Sequence, residues 1–162
     1  MTYKAPADTE TTFKLEWFNG NKAALDMALC LARLSNLVDD LVDKDVNVTT
    51  ENICEAFLSC LVELPSNPFY AAMQKEIAPM WLPVFSAFET ATEFEKKADK
   101  EGLERGHMLR YMPGMIISHA IIRCVGYQKA REYVPLMWKV VANERLDDYL
   151  REHLGEYNDQ TE

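Results

Sequence analysis

The 162-residue sequence predicts an all-α protein, a compact and mostly antiparallel bundle of about six to eight helices. Three observations carry that prediction. Wherever apolar residues recur regularly, they do so at steps of three and four, and no segment shows the alternation of a half-buried strand. The stretches between periodic segments are short, which makes neighbouring helices antiparallel. Hydrophobic residues make up 48% and glycines number only six, so the chain has the composition of a globular domain and the length to bury a core without disulfides or metal. No repeat of 20 to 50 residues is visible. The expected organisation is an N-terminal arm over 1–18, a single helical domain over 19–156 and a fraying tail over 157–162.

Met1 to Glu10 lack periodicity and read as a loose arm, after which Phe13, Leu15, Trp17 and Phe18 anchor a short first turn. Asn21 follows the turn signal Asn19-Gly20 and caps a long helix. On that helix Ala24, Met27, Cys30, Leu31, Leu34, Val38 and Leu41 form a broad core face. Lys22, Asp26, Arg33 and Asp40 form a polar stripe. A line of small residues, Ala28, Ala32 and Ser35, implies either close approach of another helix or a cavity beneath Asp39. Thr49 or Thr50 caps a second helix over 51–64, with Ile53, Phe57, Leu61 and Leu64 inward. Its middle is apolar nearly all round, as in a helix covered on several sides, and Pro65 ends it.

Asn67-Pro68 restarts a short helix to about Lys75. The next begins near Pro79 or Pro83, or is kinked between them, and faces Phe85, Phe88 and Thr92 inward. Its end, Glu93 to Glu101, reads as a solvated charge run. Gly102 breaks the pattern. A long helix over 103–125, kinked at Pro113-Gly114, then carries the most apolar stretch of the chain, Met115 to Ile122. Gly126 closes it. A helix over 127–141 faces Tyr133, Met137 and Val140 inward, and Asn143 caps the last helix, over 144–154.

Charge and cysteines exclude several functions. Seventeen basic against 26 acidic residues give a net charge of −9, which disfavours nucleic acid and anionic membranes and suits solubility, cation binding or a basic partner. The four cysteines, Cys30, Cys54, Cys60 and Cys124, lack metal-ligand spacing and read as buried free thiols of a reducing cytoplasm. The N-terminus lacks the apolar core of a signal peptide, and no apolar run is long enough to span a bilayer. His107, His119 and His153 form no ligand pair, and His119 reads as a satisfied core histidine. Motifs of serine hydrolases, P-loop proteins and Rossmann enzymes are absent.

The arrangement that points to chemistry is Asp39-Asp40-Leu41-Val42-Asp43 at the end of the first long helix. Carboxylates there oppose the helix dipole, so solvent, a base such as Lys44 or a cation must offset them. Asp39 and Asp43 lie one above the other with Asp40 to one side, a geometry suited to Mg²⁺ bridging carboxylates to a phosphate. The bland alternative is a solvated acidic helix end. Arg110 or Arg123 would bind the far side of such a phosphate, or would form a salt bridge to Asp26 or Asp40, the simpler outcome. Asn143 and Asp147, one turn apart, are the only late candidates for a second metal motif, and ordinary capping explains them equally well.

These aspartates resemble the first aspartate-rich motif of isoprenoid synthases. Together with Leu64-Pro65-Ser66-Asn67-Pro68-Phe69-Tyr70, Met108-Leu109-Arg110-Tyr111 and Asp147-Asp148-Tyr149-Leu150, they look like a family of small, largely uncharacterised bacteriophage proteins with an isoprenoid-synthase-like helical fold. The similarity covers about residues 20 to 152. It implies a Mg²⁺-dependent binder of a diphosphate-containing ligand at Asp39, Asp40 and Asp43, and, if an enzyme, a prenyl-transferase or diphosphate-lyase type. Such synthases are longer and carry a second acidic motif, which here is only the Asn143 to Asp148 segment. The other function expected is a non-catalytic acidic protein that engages a host or virion protein in the host cytoplasm. A cavity below Asp39 would favour the first function, and a core filled by Phe57, Phe85, Phe88 and Met115 the second.

Overall fold

The core begins ahead of the first long helix. Phe13, Trp17 and Phe18 are buried around a 3-10 turn, Leu15–Phe18, while Leu15 points outward. Asn19 and Gly20 then take left-handed backbone (φ 52° and 75°), reversing the chain into the first helix. These features belong to a computed structural model that describes residues 13–43 and 48–154, the side chain of Asp43 excepted. The expected loose arm, Met1 to Glu10, the tail from Tyr157, and Lys44 lie outside the described residues.

Every regular element among the described residues is helical. Helix α1, Lys22–Asp43, starts where the Asn21 side chain accepts the Ala24 N–H at 3.1 Å. Its face Ala24, Met27, Ala28, Cys30 and Leu31 is buried, and so is Leu37, whereas Val38 and Leu41 emerge to solvent. Ala28 lies in the core and Ala32 packs against it, so the small-residue line serves close packing. Ser35 turns its hydroxyl onto the Leu31 carbonyl at 2.9 Å.

Thr49 and Asn52 form a capping box that starts α2, Thr50–Leu58. The helix does not stop at Pro65. A π-helical turn, Ser59–Glu63, leads into α3, Leu64–Ser66, and together they make one rod over 50–66. The wide turn lies just ahead of Pro65, whose ring collides with the carbonyl four residues back in a regular α-helix. The rod ends at Asn67, held extended (φ −72°, ψ 120°) by the Pro68 that follows.

Asn67 then caps α4, Pro68–Lys97, accepting the N–H groups of Phe69 at 2.9 Å and Tyr70 at 3.0 Å. This helix is continuous for 30 residues, which corrects the two shorter helices expected from Pro79 and Pro83. Lys75, Pro79 and Pro83 share one exposed stripe, so the carbonyls that lose their partners face water. The opposite stripe, Met73, Ile77, Val84 and Ala91, is buried.

Asp99 caps α5, Lys100–Arg110, accepting the Gly102 N–H at 2.8 Å. Gly102 therefore sits inside the helix, where a Cβ would lie 2.8 Å from the capping carboxylate, and does not break it. The expected kinked helix is instead two, α5 and α6, Gly114–Val125, separated by a tight turn over 111–113. The most apolar stretch is central as expected, with Ile116, Ile117, Ala120 and Ile121 buried. After Gly126 come α7, Tyr127–Val141, and α8, Leu146–Leu154, which starts two residues later than expected and leaves Asn143 in the connection.

Five helices have eleven residues or more, α1, α4, α5, α6 and α7, fewer than the six to eight expected: α4 merges two expected helices, the expected helix over 103–125 splits in two, and α2 and α8 have only nine residues each. The main core joins the first turn, α1, the start of α4, α6 and α7. A second packed region joins the end of α4 to α5 and α8 around Ala91, Leu103 and Tyr149.

Candidate functional site

The second region is held by a polar cluster that links four helices. The Arg110 guanidinium donates from Nε to Glu95 Oε1 at 2.7 Å, from Nη2 to Glu95 Oε2, and from Nη1 to Asp39 Oδ1 at 2.9 Å. It also lies 4.6 Å from the centre of the Phe88 ring. The Arg110 and Glu95 side chains are only 8% and 10% exposed, against 50% for Asp39. Tyr149 donates its phenol proton to Glu95 Oε1 at 2.6 Å. Burial would raise the Glu95 carboxyl, but the hydrogen bonds from Arg110 and Tyr149 and the Arg110 charge outweigh it and hold the carboxyl below its ordinary range. The Tyr149 phenol is pushed up by burial and by Glu95, and so keeps the proton it donates.

Tyr111 extends the cluster toward α8. Its phenol donates to Glu144 Oε2 at 3.1 Å, and burial together with the charges of Glu144 and Asp39 raises its pKa. The aspartate-bearing end of α1 and the segment ahead of α8 thus flank one tyrosine. His107 packs edge-on to Tyr111 and against Tyr149, its Nε2 buried without a hydrogen-bond partner among the described residues.

Of the sequence-predicted residues, the structure brings together Asp39 and Arg110. They meet as a direct salt bridge, the simpler of the two arrangements, although the partner is Asp39 and not Asp26 or Asp40. Arg123 is elsewhere: its Nε is 3.5 Å from Glu76, which also binds His119 at 2.8 Å, about 28 Å along α4 from Glu95. Asn143 and Asp147 are exposed, and Asn143 lies outside the helix, so the two are not stacked ligands. Asp40 is half-buried, and the side chain of Asp43 lies outside the described residues. Among the described residues no three His, Cys, Asp or Glu side chains are placed to hold a metal ion. Nor does Arg110, enclosed by two carboxylates, present an open face to a diphosphate.

Glu95, Tyr149, His107 and His153, whose Nε2 lies 3.6 Å from Glu95 Oε1, were not expected at a site, and Glu95 was expected on the surface. The signal for Glu95 is its spacing: Val84, Phe88, Ala91 and Glu95 continue one face at steps of four, three and four.

A different surface is the largest departure from expectation. No residue of Thr50–Leu58 or Ser59–Glu63 is buried. Phe57, Leu58, Leu61 and Val62 are 63%, 61%, 71% and 55% exposed, and Ile53 is also exposed, so the expected inner face is uncovered and only Leu64 reaches the core. Cys54 and Cys60 are exposed with them, whereas Cys30 is buried and Cys124 half-buried. Between rod and α1 runs a groove of about 390 Å³, floored by Leu34, Leu37, Ala56, Leu58 and Val62 and edged by Asn52, Glu55 and Glu63. At its mouth Arg33 donates to Glu63 at 3.0 Å. Phe85 and Met115 are exposed as well, so neither the cavity below Asp39 nor the phenylalanine-filled core is what distinguishes the two expected functions. No helix among the described residues is long and apolar enough to cross a membrane. No family model matches the chain, and no curated protein or solved structure is detectably similar to it.

Proposed function

We propose that this chain is an acidic interaction protein that docks a partner protein through the uncovered rod over 50–66. One observation carries the reading: a helix whose middle is apolar nearly all round leaves every residue from Thr50 to Glu63 at least partly exposed. Exposed apolar patches of this kind mark association surfaces, because isolated water-facing Phe and Leu side chains gain about 1.5–3 kcal/mol each on burial. The polar cluster around Arg110 has the opposite character. Its charges are satisfied inside the protein, and its role is to tie α1, α4, α5 and α8 into a rigid support. On the bacteriophage resemblance, the partner is a host or virion protein.

The test is site-specific photo-crosslinking in cells that carry the natural partner. A photoreactive residue at Leu61 should give a discrete adduct, while one at Leu82, 79% exposed on α4, should not. Equal labelling at both positions would reject the rod as the docking surface.

The diphosphate reading of Asp39, Asp40 and Asp43, with its isoprenoid-synthase-like fold, is a separate proposal. It draws support from the two acidic segments that flank Tyr111. A cation there requires Arg110 to release Asp39, and the magnesium measurement given in the Discussion tests it.

A further inference from the structure

We infer that a second copy of this chain covers the outward face of the rod in the free protein, the two rods lying antiparallel about a twofold axis beside Phe57. The inference rests on the reading of the rod as an association surface and names what occupies it before another protein does. The rod is oriented the opposite way to an ordinary surface helix. Its polar stripe, Asn52, Glu55, Ser59 and Glu63 at steps of three and four, edges the groove toward α1, where Ser59 donates to Glu63 at 2.8 Å and Glu63 also takes Arg33. Ile53, Cys54, Phe57, Cys60 and Leu61 line no part of that groove and are exposed to solvent. The π turn leaves this stripe unbroken, since Leu61 within it is more exposed than Ile53 or Phe57.

The outward face is self-complementary. Counted from Phe57, it reads alike in both directions: a cysteine three residues away on either side, Cys54 and Cys60, and an aliphatic residue four away, Ile53 and Leu61. Across a twofold axis perpendicular to the rods, a residue a given number of places before Phe57 stands level with the residue as many places after it in the other copy. Ile53 of each copy therefore meets Leu61 of the other, the small cysteines leave room beside the two central rings, and the polar stripe stays on the groove side. Area agrees with this pairing. At their exposures, Ile53, Phe57, Leu58 and Leu61 present about 500 Å² of apolar surface, taking roughly 200 Å² for a fully exposed large residue. Two copies then bury about 1,000 Å² before any flanking residue counts, which is where specific interfaces begin. An interface of that size exchanges, with a dissociation constant on the order of micromolar. A docking partner can therefore displace the second copy, and thiol reagents still reach Cys54 and Cys60 in dilute protein.

Sedimentation velocity over a concentration series reads the oligomeric state of the full chain, as wild type and as a Phe57→Ser, Leu61→Ser variant. Both positions are exposed, so the variant keeps its fold, which circular dichroism checks. Wild type should pass from monomer to dimer, and the variant should need about tenfold higher concentration or more to do so. A wild type still monomeric at about 100 μM, or a variant that dimerises as readily as wild type, would overturn the inference. A short bismaleimide reads the register. With Cys54 and Cys60 replaced by serine, the Ile53→Cys and Leu61→Cys proteins should crosslink when mixed and not singly, because like positions lie eight residues, about 12 Å, apart along antiparallel rods. Either protein crosslinking to itself as well as to the other would make the rods parallel or shift their register, and would overturn the twofold axis at Phe57. A wild type that stays monomeric but adsorbs to phosphatidylcholine vesicles would assign the face to a bilayer and overturn the dimer. The docking reading is judged separately by the mass of the Leu61 photo-adduct: two copies of this chain alone support the dimer and remove the other partner, whereas an adduct with a different chain in a monomeric protein keeps the partner and removes the dimer.

Discussion

Replacing Glu95 by leucine should be among the most damaging single changes in this protein, and replacing its partner Arg110 as well should repair most of the damage. The carboxylate takes two hydrogen bonds from Arg110 and one from Tyr149 in a site where the two charged side chains are 8% and 10% exposed. Leucine at 95 takes the buried carboxylate from a buried guanidinium whose contact to Asp39 is itself 50% exposed, and leaves the Tyr149 phenol without its acceptor. Breaking one side of a buried pair costs about 3–5 kcal/mol, and the surviving contact to Asp39 puts the expected loss near the middle, about 4 kcal/mol. Arg110→Met leaves Glu95 with the Tyr149 hydrogen bond and should cost about 3 kcal/mol. The double variant buries no unpaired charge. Its remaining cost is the orphaned Tyr149 hydroxyl, about 1–2 kcal/mol, well below the sum of the singles. Urea unfolding at neutral pH, followed by circular dichroism, measures all three. Singles that each cost less than about 1 kcal/mol, or a double equal to their sum, would refute the argument that this cluster is a desolvated, mutually dependent unit. The same cluster sets a pH dependence. Because the Glu95 carboxyl is held below its ordinary value of 4.5, its contribution is fully present above that pH and is lost as pH falls through the lower folded value. That component of acid destabilisation should be missing from the Glu95→Leu protein.

Gly114→Ala should cost about 1–3 kcal/mol in the same assay, because the added Cβ would meet Trp138 ring atoms at 2.9 Å; an unchanged midpoint would show that α6 and α7 can part at no cost. Thiol-reactive reagent on the native protein should label the exposed Cys54 and Cys60 and spare Cys30, whose thiol burial pushes up to about 11; mass spectrometry of the labelled peptides checks the order, and early labelling of Cys30 would contradict its burial. Millimolar Mg²⁺ with inorganic diphosphate should leave the melting temperature of wild type and of an Asp39→Asn, Asp43→Asn variant equally unmoved. A stabilisation of wild type that the variant lacks would move the functional assignment to the diphosphate reading.

Helix starts were legible because they are local. Asn21, Thr49 and Asn67 each bond to backbone within three residues, so sequence neighbours alone specify them. The central helix was legible for a similar reason, since Ile116 to Ile121 are too apolar to lie anywhere but inside. The Arg110 cluster was half legible. Asp39 and Arg110 were both singled out, but they are 71 residues apart and their meeting depends on how α1 crosses α5. Glu95 was hidden within a run of charges whose other members do face water. The prolines misled because a broken helical hydrogen bond is costly only where water cannot replace it, and sequence does not reveal which side of α4 is wet. The rod misled most: apolar residues state that a surface favours burial and are silent on whether the same chain supplies the cover.

The π-helical turn over 59–63 has a consequence for how this surface can change. A π turn is an α-helix carrying one surplus residue, and one residue corresponds to about 100° of rotation about the helix axis. Upstream of the turn the apolar stripe looks outward, while downstream Leu64 is locked into the core. The turn therefore sets the phase between the exposed apolar face and the anchor. Rewinding the turn as regular α-helix at constant length would swing Phe57 and Leu58 about a quarter turn relative to Leu64, whereas deleting one residue from it removes the surplus and leaves that phase unchanged. The exposed apolar face is thus aimed by the winding of this one turn and not by the interior that holds Leu64.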